Sequence, residues 1–234
     1  MHVKSINHCT GETNENNQAI IQGQKNTKLN ETGRKQAQLL AKNFDSNGFT
    51  RIYSSDLSRA YDTCSILLSD HCKSIITDPL LRERSFGEME GCQLKDLVSK
   101  AREAGLSTPE YIAKGGESLA DVHKRVIRFL QEKILVSVNP DERILIVSHG
   151  GVIRQMIEFL VQFMPKNLNS LEFERKKSLI PPNTSVTEFK IFYCPIKHQI
   201  ESIECIRLHE IGHLDKKTQQ HALNQPQVNA KVAM

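Results

Sequence analysis

The sequence predicts an α/β fold of three layers, in which a mostly parallel β-sheet carries helices on both faces. The first observation is the run Arg143–Ser148, which is almost continuously apolar and rich in β-branched residues. Such runs are typical of strands buried on both faces of a parallel sheet. Apolar residues also recur at helical spacing on either side of it, over about Ser118–Leu135 and Val152–Phe163. Strand and helix patterns alternate along the rest of the chain, as this fold class requires.

The remaining elements continue this alternation. Helices are predicted at about Thr32–Phe44 and Leu57–Leu68, and strands at Arg51–Ser54, Ser74–Thr77, Val186–Phe192 and Ile200–Leu208, the last two at an antiparallel edge. The 234 residues fit one large domain. We assign residues 1–214 to this domain. Residues 215–234 are polar and poor in large apolar side chains, which predicts a disordered tail.

Composition and charge exclude several classes of protein. The formal net charge is +4, and the basic residues are interleaved with acidic ones, which argues against nucleic-acid binding. The N-terminus lacks the apolar stretch of a signal peptide, and no run approaches the length of a membrane span. The six cysteines show no paired spacing. We therefore expect a cytoplasmic protein with free thiols and no membrane partner.

Polar side chains that suit a phosphoryl group follow three of the predicted strands. Arg59 lies one turn into a helix whose N-terminus offers N–H donors to an anion, and its planar guanidinium matches two phosphate oxygens. His149 directly follows the strongest strand and can donate to a third oxygen. Glu83 can protonate a leaving oxygen if burial raises its pKa, although the neighbouring Arg82 and Arg84 would lower that pKa. In such folds the carboxyl ends of the strands form the ligand site.

Seven segments carry a resemblance to a known family. The segments SSDLSRAYDT, LLRERSFGEMEG, GGESLADVHKR and VSHGGVIR are similar, in order, to the motifs of the histidine phosphatase (phosphoglycerate mutase-like) superfamily. GET with Asn16, IIQGQ and LNETGRKQA resemble the fructose-2,6-bisphosphatase (TIGAR) branch of that family. The resemblance extends over about Gly11 to Leu214.

The resemblance implies a covalent mechanism without metal or cofactor. In this family a histidine attacks the phosphoryl group, two arginines and a second histidine hold its oxygens, and a glutamate serves as acid and base. It implies that Arg59 is the second arginine, Glu83 the acid/base and His149 the second histidine. The substrate-binding residues implied in the same way are Asn16, Gln22, Gly23, Gln24 and Gly11.

The chain departs from the family where the first arginine and the nucleophilic histidine should stand. Cys9 and Thr10 occupy those positions, directly before the GET motif. A threonine hydroxyl without a base is a poor nucleophile, and cysteine cannot hold phosphate in a bidentate pair. His8 is an alternative nucleophile, but it lies two residues, about 6.6 Å of strand rise, away. A slip or bulge of strand His2–His8 would be needed to bring it to the site.

The strand before this position is also atypical. Residues 2–8 contain only two aliphatic side chains and Lys4 in the middle, whereas a central parallel strand should be nearly continuously apolar. Agreement with the family resumes abruptly at Gly11. Such a contiguous departure is expected if residues 1–10 were replaced as a block.

Three functional hypotheses follow. The first is hydrolysis of a small sugar bisphosphate, fructose 2,6-bisphosphate before others, at a strongly reduced rate and on a less stable fold. The candidates for contact with its second phosphate stay open: Lys4, Arg125, Arg154 and Lys176. The second is a pseudophosphatase that binds a phosphorylated ligand or a protein partner without turnover. The third is a zinc peptidase, because His209, Glu210 and His213 form an HExxH pattern. The sequence leaves the oligomeric state open.

Overall fold

The structure is a computed structural model of the chain. It describes residues 2–43, 48–68, 74–136, 142–165, 171–177, 179–194, 196–197 and 199–226, with the side chains of residues 2–8 and 171–172 excepted.

A six-stranded sheet forms the middle layer. Its strands are β1 (His2–Cys9), β2 (Arg51–Ser54), β3 (Ile76–Thr77), β4 (Glu142–Ser148), β5 (Val186–Cys194) and β6 (Gln199–Glu210). They lie in the order β3-β2-β4-β1-β5-β6. The first four are parallel, whereas β5 pairs antiparallel with both β1 and β6. The predicted antiparallel edge is therefore confirmed, and all the predicted strands are present.

Helices cover both faces of the sheet, as predicted. They are α1 (Asn14–Asn17), α2 (Glu31–Lys42), α3 (Ser58–Leu67), α4 (Leu94–Glu103), α5 (Leu119–Phe129), α6 (Gly150–Leu160), α7 (Leu171–Lys177) and α8 (Lys216–Leu223). Helix α5 continues as a π-helical turn over Leu130–Ile134, and α6 as a 3₁₀ turn over Val161–Phe163.

Strand β4 divides the core between the two faces. Ile144 and Ile146 belong to a cluster with side chains of α5 and α6 on one face. Leu145 and Val147 belong to a second cluster with α2 and α3 on the other. Successive strand residues point to opposite faces, so a continuous apolar run is what two covered faces require. This is why the strand was predictable from sequence.

The atypical first strand lies in the centre of the sheet. Its pairing with β4 runs without a shift from Val3 opposite Glu142 to Cys9 opposite Ser148. Its pairing with β5 is equally regular, from His2 to His8. The backbone of β1 is thus hydrogen-bonded on both sides in spite of its polar sequence.

The prediction of a disordered tail is wrong for residues 216–223, which form α8. The Asp215 side chain caps this helix by accepting a hydrogen bond from the Thr218 N–H at 2.9 Å. Ala222 is buried against the domain. Residues 227–234 lie outside the described residues. In the part of the chain that is described, no helix is long and apolar enough to cross a membrane.

Two glycines allow the segment after β1 to pack against the start of α2. A Cβ atom on Gly33 would lie 2.1 Å from the carbonyl oxygen of Glu12, and one on Gly11 would lie 2.6 Å from the carbonyl oxygen of Gly33. Both neighbours are backbone atoms, which cannot swing away as a side chain can. Only glycine fits at either position.

We predict that Gly33→Ala lowers the free energy of unfolding by about 2 kcal/mol or more, because the new methyl group overlaps the Glu12 backbone. An alanine elsewhere in a helix would stabilise it by about 1 kcal/mol relative to glycine. Gly212→Ala is the control, since a Cβ atom there meets nothing within 4 Å. Urea unfolding measures both. Equal stability of the two variants would contradict the close packing described here.

Candidate active site

The candidate active site is a pocket at the carboxyl ends of β1, β2 and β4. Thr10 directly follows β1, Arg59 lies in the first turn of the helix after β2, and His149 directly follows β4. Together with Glu83, all three line the pocket. The parallel strands thus bring together side chains that are far apart in the sequence, as expected for residues that follow the carboxyl ends of strands.

Arg59 is buried beside the loop that precedes α2. Its Nη1 donates to the carbonyl oxygen of Lys25 at 2.8 Å and to Thr27 Oγ1 at 3.2 Å, and its Nη2 donates to the carbonyl oxygen of Gly23 at 2.8 Å. Burial lowers the pKa of Arg59 to about 10, an effect that nearby groups, Glu83 foremost, oppose. The guanidinium therefore stays charged at neutral pH. Since it has five N–H donors, it retains donors for an anion.

His149 is a buried imidazole at the N-terminus of α6. Its Nε2 lies 2.9 Å from Ser55 Oγ, in the segment that follows β2. Burial holds the pKa of His149 well below its usual value of 6.5, and the positive charges of Arg59 and Arg125 act in the same direction. A neutral imidazole therefore faces the pocket at neutral pH. It supplies a hydrogen bond to a ligand without adding charge.

Glu83 is held in a fixed direction by backbone donors. Its Oε1 accepts from the Arg84 N–H at 2.7 Å, and its Oε2 accepts from the Gly151 N–H, in the first turn of α6, at 3.0 Å. Its backbone oxygen accepts from Arg125 at 3.1 Å and from Gln24 at 3.2 Å. Four hydrogen bonds, two to the carboxylate and two to the backbone oxygen, thus hold Glu83 in place at the pocket.

The two arginines beside Glu83 are engaged elsewhere. Arg82 forms an ion pair with Asp56 at 2.6 Å. The buried Arg84 donates to the carbonyl oxygens of Glu117, Pro109 and Tyr111. Their side chains therefore hold surrounding segments in place.

The predicted substrate-binding residues separate into two groups. Asn16, Gln22 and Gly23 line the pocket. Gly11 lies behind it, where its N–H donates to Thr63 Oγ1 at 3.0 Å. Gln24 supports the Glu83 backbone, as described above.

Thr10 and Cys9 occupy the floor of the pocket. The Thr10 N–H donates to the carbonyl oxygen of Ser148 at 3.0 Å, and its own carbonyl oxygen accepts from Asn183 Nδ2 at 2.9 Å. Burial is the main reason why the pKa of the Cys9 thiol rises to about 12. The thiol therefore stays protonated and is a weak nucleophile. Neither residue supplies the positive charge or the basic nitrogen that the motif comparison expects here.

The backbone around His8 is regular. The ladder from Val3 to Cys9 contains no bulge, and Thr10 continues it through its bond to Ser148. The side chain of His8 lies outside the described residues. Its service as a nucleophile would require the shift in register that this ladder lacks.

Sequence reasoning missed the C-terminal wall of the pocket. Gln225 and Pro226, just beyond α8, line it. Gln225 donates to the buried carboxylate of Glu12, and His221 Nε2 lies 2.7 Å from the same group. No local pattern in the polar tail signals this contact, because it depends on a carboxylate more than 200 positions earlier.

Comparison with known proteins agrees with this geometry. Residues 9–193 match the description "Histidine phosphatase superfamily (branch 1)". The chain belongs to this superfamily.

Three relatives illustrate the breadth of the family. Phosphoglycerate mutase-like protein 4 of Arabidopsis thaliana is 35% identical, over 78% of this chain and 76% of its own length. Fructose-2,6-bisphosphatase TIGAR of Xenopus laevis is 29% identical, over 87% and 92%. A crystal structure of an Entamoeba histolytica phosphoserine phosphatase, a histidine-to-alanine mutant with phosphoserine bound, is 25% identical. Its alignment covers 91% of this chain and 99% of that chain, with a TM-score of 0.68.

The HExxH pattern does not form the helical site that the zinc peptidase hypothesis requires. The HExxH pattern requires two histidines on one face of a helix. His209 instead lies near the end of β6 with a positive φ of 55°, and its Nδ1 contacts Thr187 Oγ1 at 3.2 Å. His213 lies in the following turn and contacts Thr184 Oγ1 at 3.1 Å. Among the described residues, no group of three metal-ligating side chains is assembled.

Three of the four candidates for a second phosphate contact, Arg125, Arg154 and Lys176, do not line the described pocket. Arg125 is bound to Glu117 at 2.8 Å and to the carbonyl oxygen of Leu80 at 2.7 Å. Arg154 pairs with Glu158 on α6 at 3.8 Å. Lys176 lies in α7, beside His209. The side chain of Lys4 is outside the described residues.

We predict that the stability of the protein falls as the pH drops below 6.5, partly because of His149. The unfolded state gains a proton near pH 6.5, whereas the folded state keeps this imidazole neutral. The free energy of unfolding therefore decreases by about 1 kcal/mol per pH unit for this group. His149→Asn removes that contribution and places a residue type that is favoured at the N-cap position.

Urea unfolding at pH 7, 6 and 5 tests this prediction. The variant should lose stability less steeply than the unchanged chain. Parallel pH profiles of the two proteins would show that His149 is not held neutral.

Proposed function

We propose that this chain binds the phosphoryl group of a small phosphorylated metabolite, and that Thr10 in the nucleophile position makes hydrolysis slow. The proposal rests on one observation above all. Arg59, His149 and Glu83 converge from three segments on the place where Thr10 stands. They can hold and protonate a phosphate ester, but the attacking nitrogen is missing.

Two features support phosphoryl binding. Arg59 is charged, buried and fixed, and Gly150 and Gly151 at the N-terminus of α6 line the same pocket. A helix N-terminus and a guanidinium both attract phosphate oxygens. The Entamoeba relative also supports it, because that protein holds phosphoserine although one of its histidines is alanine. Ligand binding in this fold can thus outlast the loss of a histidine.

The floor of the pocket supports slow hydrolysis. A hydroxyl attacks phosphorus well only when a base removes its proton. Nε2 of the nearest histidine described in the pocket, His149, faces Ser55. The protonated Cys9 thiol does not replace the missing base. If the chain has no turnover at all, this proposal becomes the pseudophosphatase hypothesis, in which the chain binds a phosphorylated ligand without hydrolysing it.

The identity of the substrate also belongs to the proposal. The sequence resemblance and the Xenopus relative, which is named a fructose-2,6-bisphosphatase, make fructose 2,6-bisphosphate the first sugar bisphosphate to test. All the candidates share at least one phosphate ester on a small organic molecule.

We predict that Cys9→Arg with Thr10→His raises turnover of para-nitrophenyl phosphate and fructose 2,6-bisphosphate by at least about 10³-fold over the unchanged chain. Removing a covalent nucleophile from other hydrolases costs several orders of magnitude in rate. The unchanged chain should still bind inorganic phosphate, which raises its melting temperature in a concentration-dependent way. A steady-state assay and a thermal-shift titration measure the two effects.

Thr10→Val is the matched control, because it removes the hydroxyl and keeps the shape. It should leave the residual rate of the unchanged chain as it is. Turnover by the unchanged chain equal to that of the double variant would overturn the claim of slow hydrolysis. Absence of any phosphate-induced stabilisation would overturn the claim of binding.

A further inference from the structure

The pocket has an apolar wall besides its polar residues. Ile20, Phe86, Leu94, Ile180 and Pro181 line it, together with the small side chain of Ala19. The organic group of a phosphate ester held by Arg59 and Glu83 would have this apolar lining as part of its surroundings. An apolar wall favours the carbon skeleton of a ligand over a second strongly hydrated anion.

The charged residues of the lining also disfavour a second anion. Among the lining residues that the structure describes, the charged ones are Arg59, Glu83 and Glu15. Glu15 lies in the first turn of α1 and is half-buried. The negative charge of Glu15 raises the pKa of Arg59, against the lowering effect of burial. The two side chains are therefore close enough to interact. Within the described lining, one cation therefore shares the pocket with two carboxylates.

We propose that Glu15 makes the pocket selective for phosphate monoesters whose leaving group is neutral or cationic, and disfavours ligands with a second anionic group. The inference rests on the proposed function and narrows its substrate class. Arg59 balances one phosphoryl group, and a further phosphate or carboxylate would meet Glu15 instead of a cation. An ammonium group at the same place would be attracted.

The expected size of the effect follows from the charges. Two unit charges about 6 Å apart in a partly screened pocket change a binding constant roughly tenfold. The three probes are matched in size and differ in the charge of the leaving group. They are phosphoethanolamine (cationic), glycerol 3-phosphate (neutral) and phosphoglycolate (anionic).

Isothermal titration of the unchanged chain should rank these probes in that order of affinity, with a span of about tenfold or more between the extremes. Glu15→Gln should reduce the span to less than about threefold, and Glu15→Lys should reverse the order. Glu31→Gln is the control, because it removes the same charge from the exposed start of α2. It should leave the ranking intact. Fructose 2,6-bisphosphate should bind more tightly to Glu15→Lys than to the unchanged chain.

Inorganic phosphate separates the failure of this inference from that of the proposed function. If phosphate binds to all variants but Glu15→Gln keeps the ranking of the unchanged chain, the selectivity assigned to Glu15 is wrong and the phosphoryl site stands. If phosphate binds to none of them, the proposed function fails and this inference with it.

Discussion

The arrangement of the site depends on one buried carboxylate, Glu12, two residues after Thr10. Its side chain is fully buried, and Asn17, Asn30 and His221 each contact it at 2.7 Å, while Gln225 donates to it as well. These partners come from α1, from the cap of α2 and from the C-terminal segment. A buried carboxylate without such partners would be costly, so Glu12 holds all three segments around the pocket.

The parts of the molecule that could be predicted are those with local signals in the sequence. Strand β4, its two flanking helices and His149 were predictable because continuous apolar sequence and strand-end position are local signals with a direct physical meaning. Arg59 and Glu83 were predictable only as members of a set of motifs, since each residue alone has many ordinary roles. Their convergence is a property of parallel strand order, which the alternating pattern indicates.

The parts that were missed depend on contacts between distant segments. Helix α8 has a polar sequence, and its order comes from the capping of Asp215, the burial of Ala222 and the contact of His221 with Glu12. Glu15 carries no motif, and its placement follows from the short α1 turn. The HExxH pattern was misleading for a different reason. The residue types match the pattern, but the pairing of β6 with β5 places His209 in a strand instead of a helix.

The polar first strand leads directly into the segment where the family's nucleophile is expected. Strand β1 is central and regularly paired, and Thr10, which directly follows it, lines the pocket. In the function proposed here, the side chains that would hold a phosphate surround a position where threonine attacks slowly. Under that proposal, binding and turnover are separated within one pocket.

A crystal structure of the chain with orthovanadate would test this central claim most directly. Vanadate forms a bond to a suitably placed nucleophile and becomes five-coordinate. We predict an ion held by Arg59 and His149 with no bond to any protein atom. A vanadium atom bonded to Thr10 Oγ or to the His8 ring would contradict the account and identify the nucleophile.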